Sequence, residues 1–167
     1  YELGDMRTTG ESVVETKNFL DDNGFSSIVL TSRGPQFRDV TFKALAKNSL
    51  DFSKGYLGRH SKTGTVYKPY SKELLAQFSP AEISNYKLAL IEGRPRDVTF
   101  ERGIYMTSGQ HKGAMLRLLL SKYNLLEKTK AIVFVDDHQR HVTGMIEALN
   151  NIEIVNYSYL YLSLIHI

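Results

Sequence analysis

At 167 residues with a formal net charge of +3, the chain has room for one domain with a core, not for two of ordinary size. Its lysines and arginines are dispersed, so no nucleic-acid partner is expected, and the lack of cysteine excludes a disulfide framework and thiolate metal sites. No apolar run reaches membrane-spanning length and no signal-peptide pattern is visible, which leaves the compartment and the oligomeric state open.

The first predicted element is a helix over Glu11 to Asn23, with Val13, Val14, Phe19 and Leu20 at helical spacing and Gly24 as its stop. A short buried strand, Ser27 to Thr31, closes at Ser32-Arg33-Gly34-Pro35, and helical spacing returns from Phe37 to Asn48. Ser49 to Arg102 has another texture: Gly55, Gly58, Gly64 and Pro69 punctuate a stretch rich in Lys, Ser and Tyr. It reads as a cap-like insertion over the sheet, carrying short helices at Ser71 to Phe78 and Pro80 to Ile91. Ser79-Pro80-Ala81-Glu82 fits a capping box ahead of the second. Packing of this insertion is the plainer explanation for Tyr56, Tyr67 and Tyr70 with Lys62 and Lys68, although a substrate contact is the other.

Regularity resumes with a strand at Gly103 to Thr107 and a helix from Lys112 to Tyr123. Ala131 to Val135 is an unbroken apolar run, expected to be a strand buried on both faces, as parallel strands are. A helix over Arg140 to Asn150 and an edge strand over Ile152 to Tyr157 follow. Alternating helices and buried strands predict an α/β fold built on a doubly wound parallel sheet. The repeated Arg-Asp-Val-Thr-Phe at Arg38 and Arg96 is a chance match between different contexts. Residues 1–161 are expected to form a single domain. Tyr1 to Gly4 reads as starting in mid-sequence, and Leu162 to Ile167 resembles the translation of a transposon-type adapter, so it is set aside as a suspected non-native tail.

Chemistry gathers at strand ends and one helix start. Asp136 and Asp137 follow the apolar run, where α/β sheets collect ligands. Two acids there suit a hard cation such as Mg²⁺, while a solvated acidic turn explains them equally well. Thr31 and Ser32 offer a hydroxyl and backbone N–H groups suited to a phosphate oxygen. Lys112 opens a helix, where the dipole disfavours a cation, so its position calls for an anion. His111, His138 and His141 bracket these groups without a recognised zinc spacing, and are set aside as metal ligands. Arg33 reads as a surface group.

Taken in order, "IVLTSR", "GQHKGAML" and "AIVFVDD" resemble the second, third and fourth motifs of the haloacid dehalogenase-like superfamily, and the combination looks most like a bacterial branch of it. The resemblance covers about Glu11 to Tyr157, with the insertion between the second and third motifs. It implies a Mg²⁺-dependent phosphohydrolase or phosphotransferase acting on a phosphorylated small molecule through an aspartyl-phosphate. Thr31, Ser32 and Lys112 would hold phosphate, and Asp136 and Asp137 would hold the metal. The first motif, an apolar strand ending Asp-x-Asp, has no match in Tyr1 to Gly10: Asp5 follows no apolar strand and has no partner acid. The stretch as given is therefore expected to be inactive. A non-catalytic phosphate-binding or protein-interaction module is the alternative, and a receiver-like domain is disfavoured because its acidic pair belongs near the start.

Overall fold

The computed structural model describes residues 10, 12–61, 64–88 and 95–161. The first-motif search around Asp5, Lys62, the end of the Pro80–Ile91 helix and the tail from Leu162 lie outside them. In chain order the first elements are α1 (Val13–Asp22), β1 (Val29–Thr31), a 3-10 turn (Pro35–Phe37), α2 (Arg38–Lys47), α3 (Tyr56–His60) and β2 (Val66–Tyr67). Then come α4 (Lys72–Leu75), α5 (Pro80–Asn85), β3 (Val98–Glu101), β4 (Ile104–Met106), α6 (Lys112–Lys122), β5 (Ala131–Asp136), α7 (Gln139–Leu149) and β6 (Val155–Leu160).

The chain divides into two compact units. Unit 1 comprises Tyr1–Tyr67 and Asp97–Gly109; unit 2 comprises Lys68–Arg96 and Gln110–Ile167. Unit 1 holds a four-stranded sheet in the order β1-β4-β3-β2. β1 runs parallel to β4, but β3 is antiparallel to both β4 and β2. The reason lies in two residues. Arg102 and Gly103 join β3 to β4, and both adopt positive φ (50° and 76°), which a two-residue hairpin requires and a parallel crossover cannot use. A Cβ at Gly103 would also stand 2.3 Å from the Phe52 carbonyl oxygen, so glycine is needed twice over. The protein is thus mixed α/β, and the expectation of a doubly wound parallel sheet is corrected. β2 and β3, which lie inside the stretch read as an insertion, extend the sheet. β1 itself is half-buried, not a fully buried strand.

Unit 2 holds the parallel pair β5–β6, with α7 packed on both strands and α6 packed on α7. Met115, Leu118, Leu119, Met145 and Leu149 are fully buried along these helices, each contributing about 1.5–3 kcal/mol of apolar burial. The helices approach closely because Gly113 and Gly144 face the crossing. A Cβ at Gly113 would lie 2.6 Å from the Gly144 carbonyl oxygen. β5 is buried on one face only, contrary to the two-faced reading: Phe134 and Asp136 are buried, whereas Val133 and Val135 are 65% and 57% exposed. β6 starts at Val155, three residues later than expected, because Ile154 donates its N–H to the Ile152 carbonyl (2.7 Å) and holds that segment in a turn. The capping box forms as expected: Ser79 Oγ accepts the Glu82 N–H (3.2 Å) and Glu82 Oε2 accepts the Ser79 N–H (2.8 Å).

Candidate functional site

Asp136 is the last residue of β5, and alternation along the strand turns its side chain to the buried face. A buried carboxylate needs partners, and Asp136 has three. Lys112 Nζ lies 2.5 Å from Oδ2. Oδ1 accepts the His138 backbone N–H (2.9 Å) and lies 2.9 Å from His141 Nδ1. Burial pushes the Asp136 carboxyl towards neutrality, but the Lys112 ammonium, the His138 N–H and the His141 ring outweigh it and hold the pKa at about 2. Asp136 is therefore a carboxylate at neutral pH, paired with Lys112.

Lys112 is the first residue of α6, with its side chain 10% exposed. The anion that its place at a helix start calls for is the Asp136 carboxylate. Asp137, next in the chain, points to solvent with its side chain 68% exposed and makes a 2.7 Å contact from Oδ1 to His138 Nδ1. The acidic pair thus splits: one acid is buried beside a lysine and the other is a surface group holding a histidine.

The histidines set aside on spacing enter here. His138 precedes α7 and His141 lies in its first turn; their rings are 5.3 Å apart. Asp136, His138 and His141 each offer one ligand atom, all within 4.8 Å of one another. The signal was the Asp-x-His-x-x-His pattern at a strand-to-helix junction, which brings residues three apart to one side of a helix start. His111 plays another part. Its Nδ1 accepts the Ala114 N–H (3.2 Å), capping α6 just before Lys112, and its ring stacks on Tyr86 at 4.3 Å. Burial first, and then the nearby His141, lower its pKa to about 4, so the ring is neutral at pH 7 and free to accept.

Thr31 and Ser32 belong to unit 1. Thr31 ends β1, and its Oγ1 accepts the Arg33 N–H (3.3 Å), closing a turn after the strand. Its carbonyl accepts the Thr107 N–H and hydroxyl (2.9 and 3.0 Å). Ser32 is exposed. Arg33 is not a loose surface group, since its Nη1 donates to Thr41 Oγ1 (3.0 Å). Unit 1 also carries a cleft of about 250 Å³ among Phe42, Leu45, Phe52, Arg102 and Ile104. Its one carboxylate, Asp51, accepts the Ser53 hydroxyl and N–H.

Mg²⁺ takes oxygen ligands in strict octahedral geometry. Here the grouped donors are one buried carboxylate and two imidazoles, while Asp137 faces solvent. The donor set fits Mg²⁺ poorly.

Fold and site together define a mixed α/β protein with an Asp–Lys–His cluster at the carboxyl end of a parallel strand. The chain matches, over residues 1–165, the family described as "Protein of unknown function (DUF2608)", and it belongs to that family. No curated protein and no solved structure matches it. This membership, together with the mixed sheet, overturns the resemblance to the haloacid dehalogenase-like superfamily. Three short motifs at strand ends and helix starts are a pattern that many α/β chains can satisfy, because such ends are where any α/β fold exposes polar groups.

Proposed function

We propose that the protein handles phosphate esters, as a divalent-cation-dependent phosphohydrolase or phosphotransferase acting on a phosphorylated small molecule. The observation that supports this reading is the pairing of Lys112 with Asp136 at 2.5 Å, at the carboxyl end of a parallel strand. The parallel pairs β1–β4 and β5–β6 are what this reading keeps of the doubly wound expectation; Thr31 ends one and Asp136 the other. Phosphoryl transfer asks the protein chiefly for positioning and charge neutralisation. Lys112 neutralises a phosphoryl oxygen, and the Asp136 carboxylate at 2.5 Å aims its side chain. Thr31 and Ser32 are carried as a phosphate-binding hydroxyl and N–H on sequence grounds. No nucleophile is assigned.

The test is hydrolysis of p-nitrophenyl phosphate with Mg²⁺, Mn²⁺ or Zn²⁺ supplied. Lys112→Ala and Asp136→Asn each lower the rate at least tenfold, since a lost preorganised charge is worth roughly 10²–10³; Thr31→Ala probes the hydroxyl. Unchanged rates in both of the first two variants overturn the reading. A second reading is a non-catalytic phosphate-binding module, in which Lys112 at the first residue of α6 holds phosphate with no bond broken. It predicts phosphate binding that Lys112→Ala abolishes, without turnover by the wild type.

A further inference from the structure

We propose that Asp136, His138 and His141 form a binding site for a first-row transition-metal dication of the Zn²⁺ type. The inference names the cation of the phosphate-ester site but does not require that site to be catalytic.

The local chain path builds the cluster. Asp136 Oδ1 accepts the His138 N–H, which turns the chain from β5 into α7. His141 follows one helical turn later, its N–H donating to the His138 carbonyl (2.9 Å). Asp136 Oδ1 then stands 2.9 Å from His141 Nδ1, and one ligand atom from each of Asp136, His138 and His141 lies within 4.8 Å of the others. These spacings bracket the separation of about 3.3 Å between ligand atoms of a tetrahedral zinc site with bonds of about 2.0–2.1 Å. Two imidazoles and one carboxylate leave a coordination position open, the pattern of catalytic rather than structural sites.

Asp137 finds its use in the same arrangement. Its Oδ1 lies 2.7 Å from His138 Nδ1. A carboxylate there accepts a hydrogen bond from Nδ1–H, which fixes the tautomer and leaves the Nε2 lone pair for a metal. Asp137 is thus a positioning residue rather than a ligand. Two positive features oppose a cation: the Lys112 ammonium on Asp136 Oδ2 and the N-terminus of α7. The carboxylates of Asp136 and Asp137 offset them, and neutral His111 adds no charge. It follows that removing the Lys112 charge tightens metal binding, a gain that misfolding cannot mimic.

Metal-free protein is titrated with Co²⁺, following the visible absorption bands of the bound ion, and Zn²⁺ is then added as competitor. The expected result is one Co²⁺ per chain in a low-coordinate site, displaced by Zn²⁺ and not by millimolar Mg²⁺. His138→Ala and His141→Ala each weaken binding at least about tenfold, and Asp137→Asn weakens it about 10–100-fold. Lys112→Met tightens it. His60→Ala, in α3 of unit 1, leaves it unchanged. Absence of Co²⁺ binding, retention of full affinity in both histidine variants, or displacement by Mg²⁺ at matched concentration overturns the proposal. Mg²⁺-supported hydrolysis without Co²⁺ binding sinks this inference and leaves the phosphate-ester reading standing. Co²⁺ binding with no phosphatase activity or phosphate binding does the reverse.

Discussion

Gly144 makes room for His111: a Cβ at position 144 would stand 2.6 Å from His111 Nε2. The ring cannot give way freely, because Tyr86 stacks on one face and Nδ1 holds the Ala114 N–H. Gly144→Ala therefore sets an overpacking cost of about 1–3 kcal/mol against the roughly 1 kcal/mol that alanine gains over glycine in a helix. Net destabilisation is expected. Gly113→Ala should cost more, since its Cβ meets backbone, the Gly144 carbonyl oxygen and Met145 Cα, as well as Ala148 Cβ. Urea unfolding ranks the two variants. A Gly113→Ala protein as stable as wild type would contradict the close crossing of α6 and α7.

The same histidine contributes a pH-dependent part of the stability. In the folded chain its pKa is about 4, against 6.5 for a free imidazole. Between those values the unfolded state binds the extra proton, so this contribution is complete above pH 6.5 and is lost as pH falls towards 4. The slope for one such group reaches at most about 1.4 kcal/mol per pH unit. Asp136 acts lower down: its folded pKa of about 2 lies below the 3.8 of an ordinary aspartate, so its contribution is present above pH 3.8 and lost as pH drops towards 2. His111→Asn keeps a capping acceptor but not the titration. Urea unfolding at pH 7.5 and pH 4.5 should show a smaller loss in that variant; an equal loss would place the acid sensitivity elsewhere.

What the chain alone revealed was mainly local. Caps and helices depend on neighbours within a turn, so Ser79 with Glu82 and the start of α6 at Lys112 were legible. Strand direction and burial depend on distant partners. The Arg102-Gly103 turn had no hairpin signal strong enough to reverse a parallel reading, and the apolar run of β5 gave no hint that Val133 and Val135 face outwards. In the site, the strand end at Asp136 and the helix start at Lys112 were legible, but their residue types pointed Lys112 to a phosphate and Asp136 to a metal, not to each other. The His138 and His141 contribution was not legible, because the expected zinc patterns space histidines from one another and ignore a carboxylate two residues upstream.

The one-sided burial of β5 has a direct consequence for mutation. Phe134 and Val133 are neighbours in an apolar strand and read alike in sequence, yet only Phe134 is buried. Phe134→Ala should cost about 3–5 kcal/mol through lost transfer energy and a cavity against α7. Val133→Thr keeps the β-branched shape on an exposed face and should stay within about 0.5 kcal/mol. Equal costs for the two, measured by chemical denaturation, would mean that this face is covered in solution.

Arg117 offers the sharpest test of the packing in unit 2. It sits in the middle of α6, whose residues 113–120 are all buried, so it has no polar face to occupy. Its guanidinium instead joins three elements. Nη1 reaches Glu82 Oε1 (2.7 Å) and the Ala148 carbonyl (3.2 Å), Nη2 donates to the Gln77 carbonyl (3.0 Å), and the group lies 4.2 Å over the Phe78 ring. The Ala148 carbonyl belongs to the last turn of α7, where no intrahelical donor remains. Arg117→Met strands Glu82 and both carbonyls and should cost about 3–5 kcal/mol. Arg117→Lys keeps the charge but loses the planar fork, so at least one acceptor goes unpaired, for about 1–3 kcal/mol. Denaturation midpoints should fall in the order wild type, lysine variant, methionine variant. A lysine variant matching wild type would show that charge alone, without the fork, holds α6 to the Gln77–Glu82 segment.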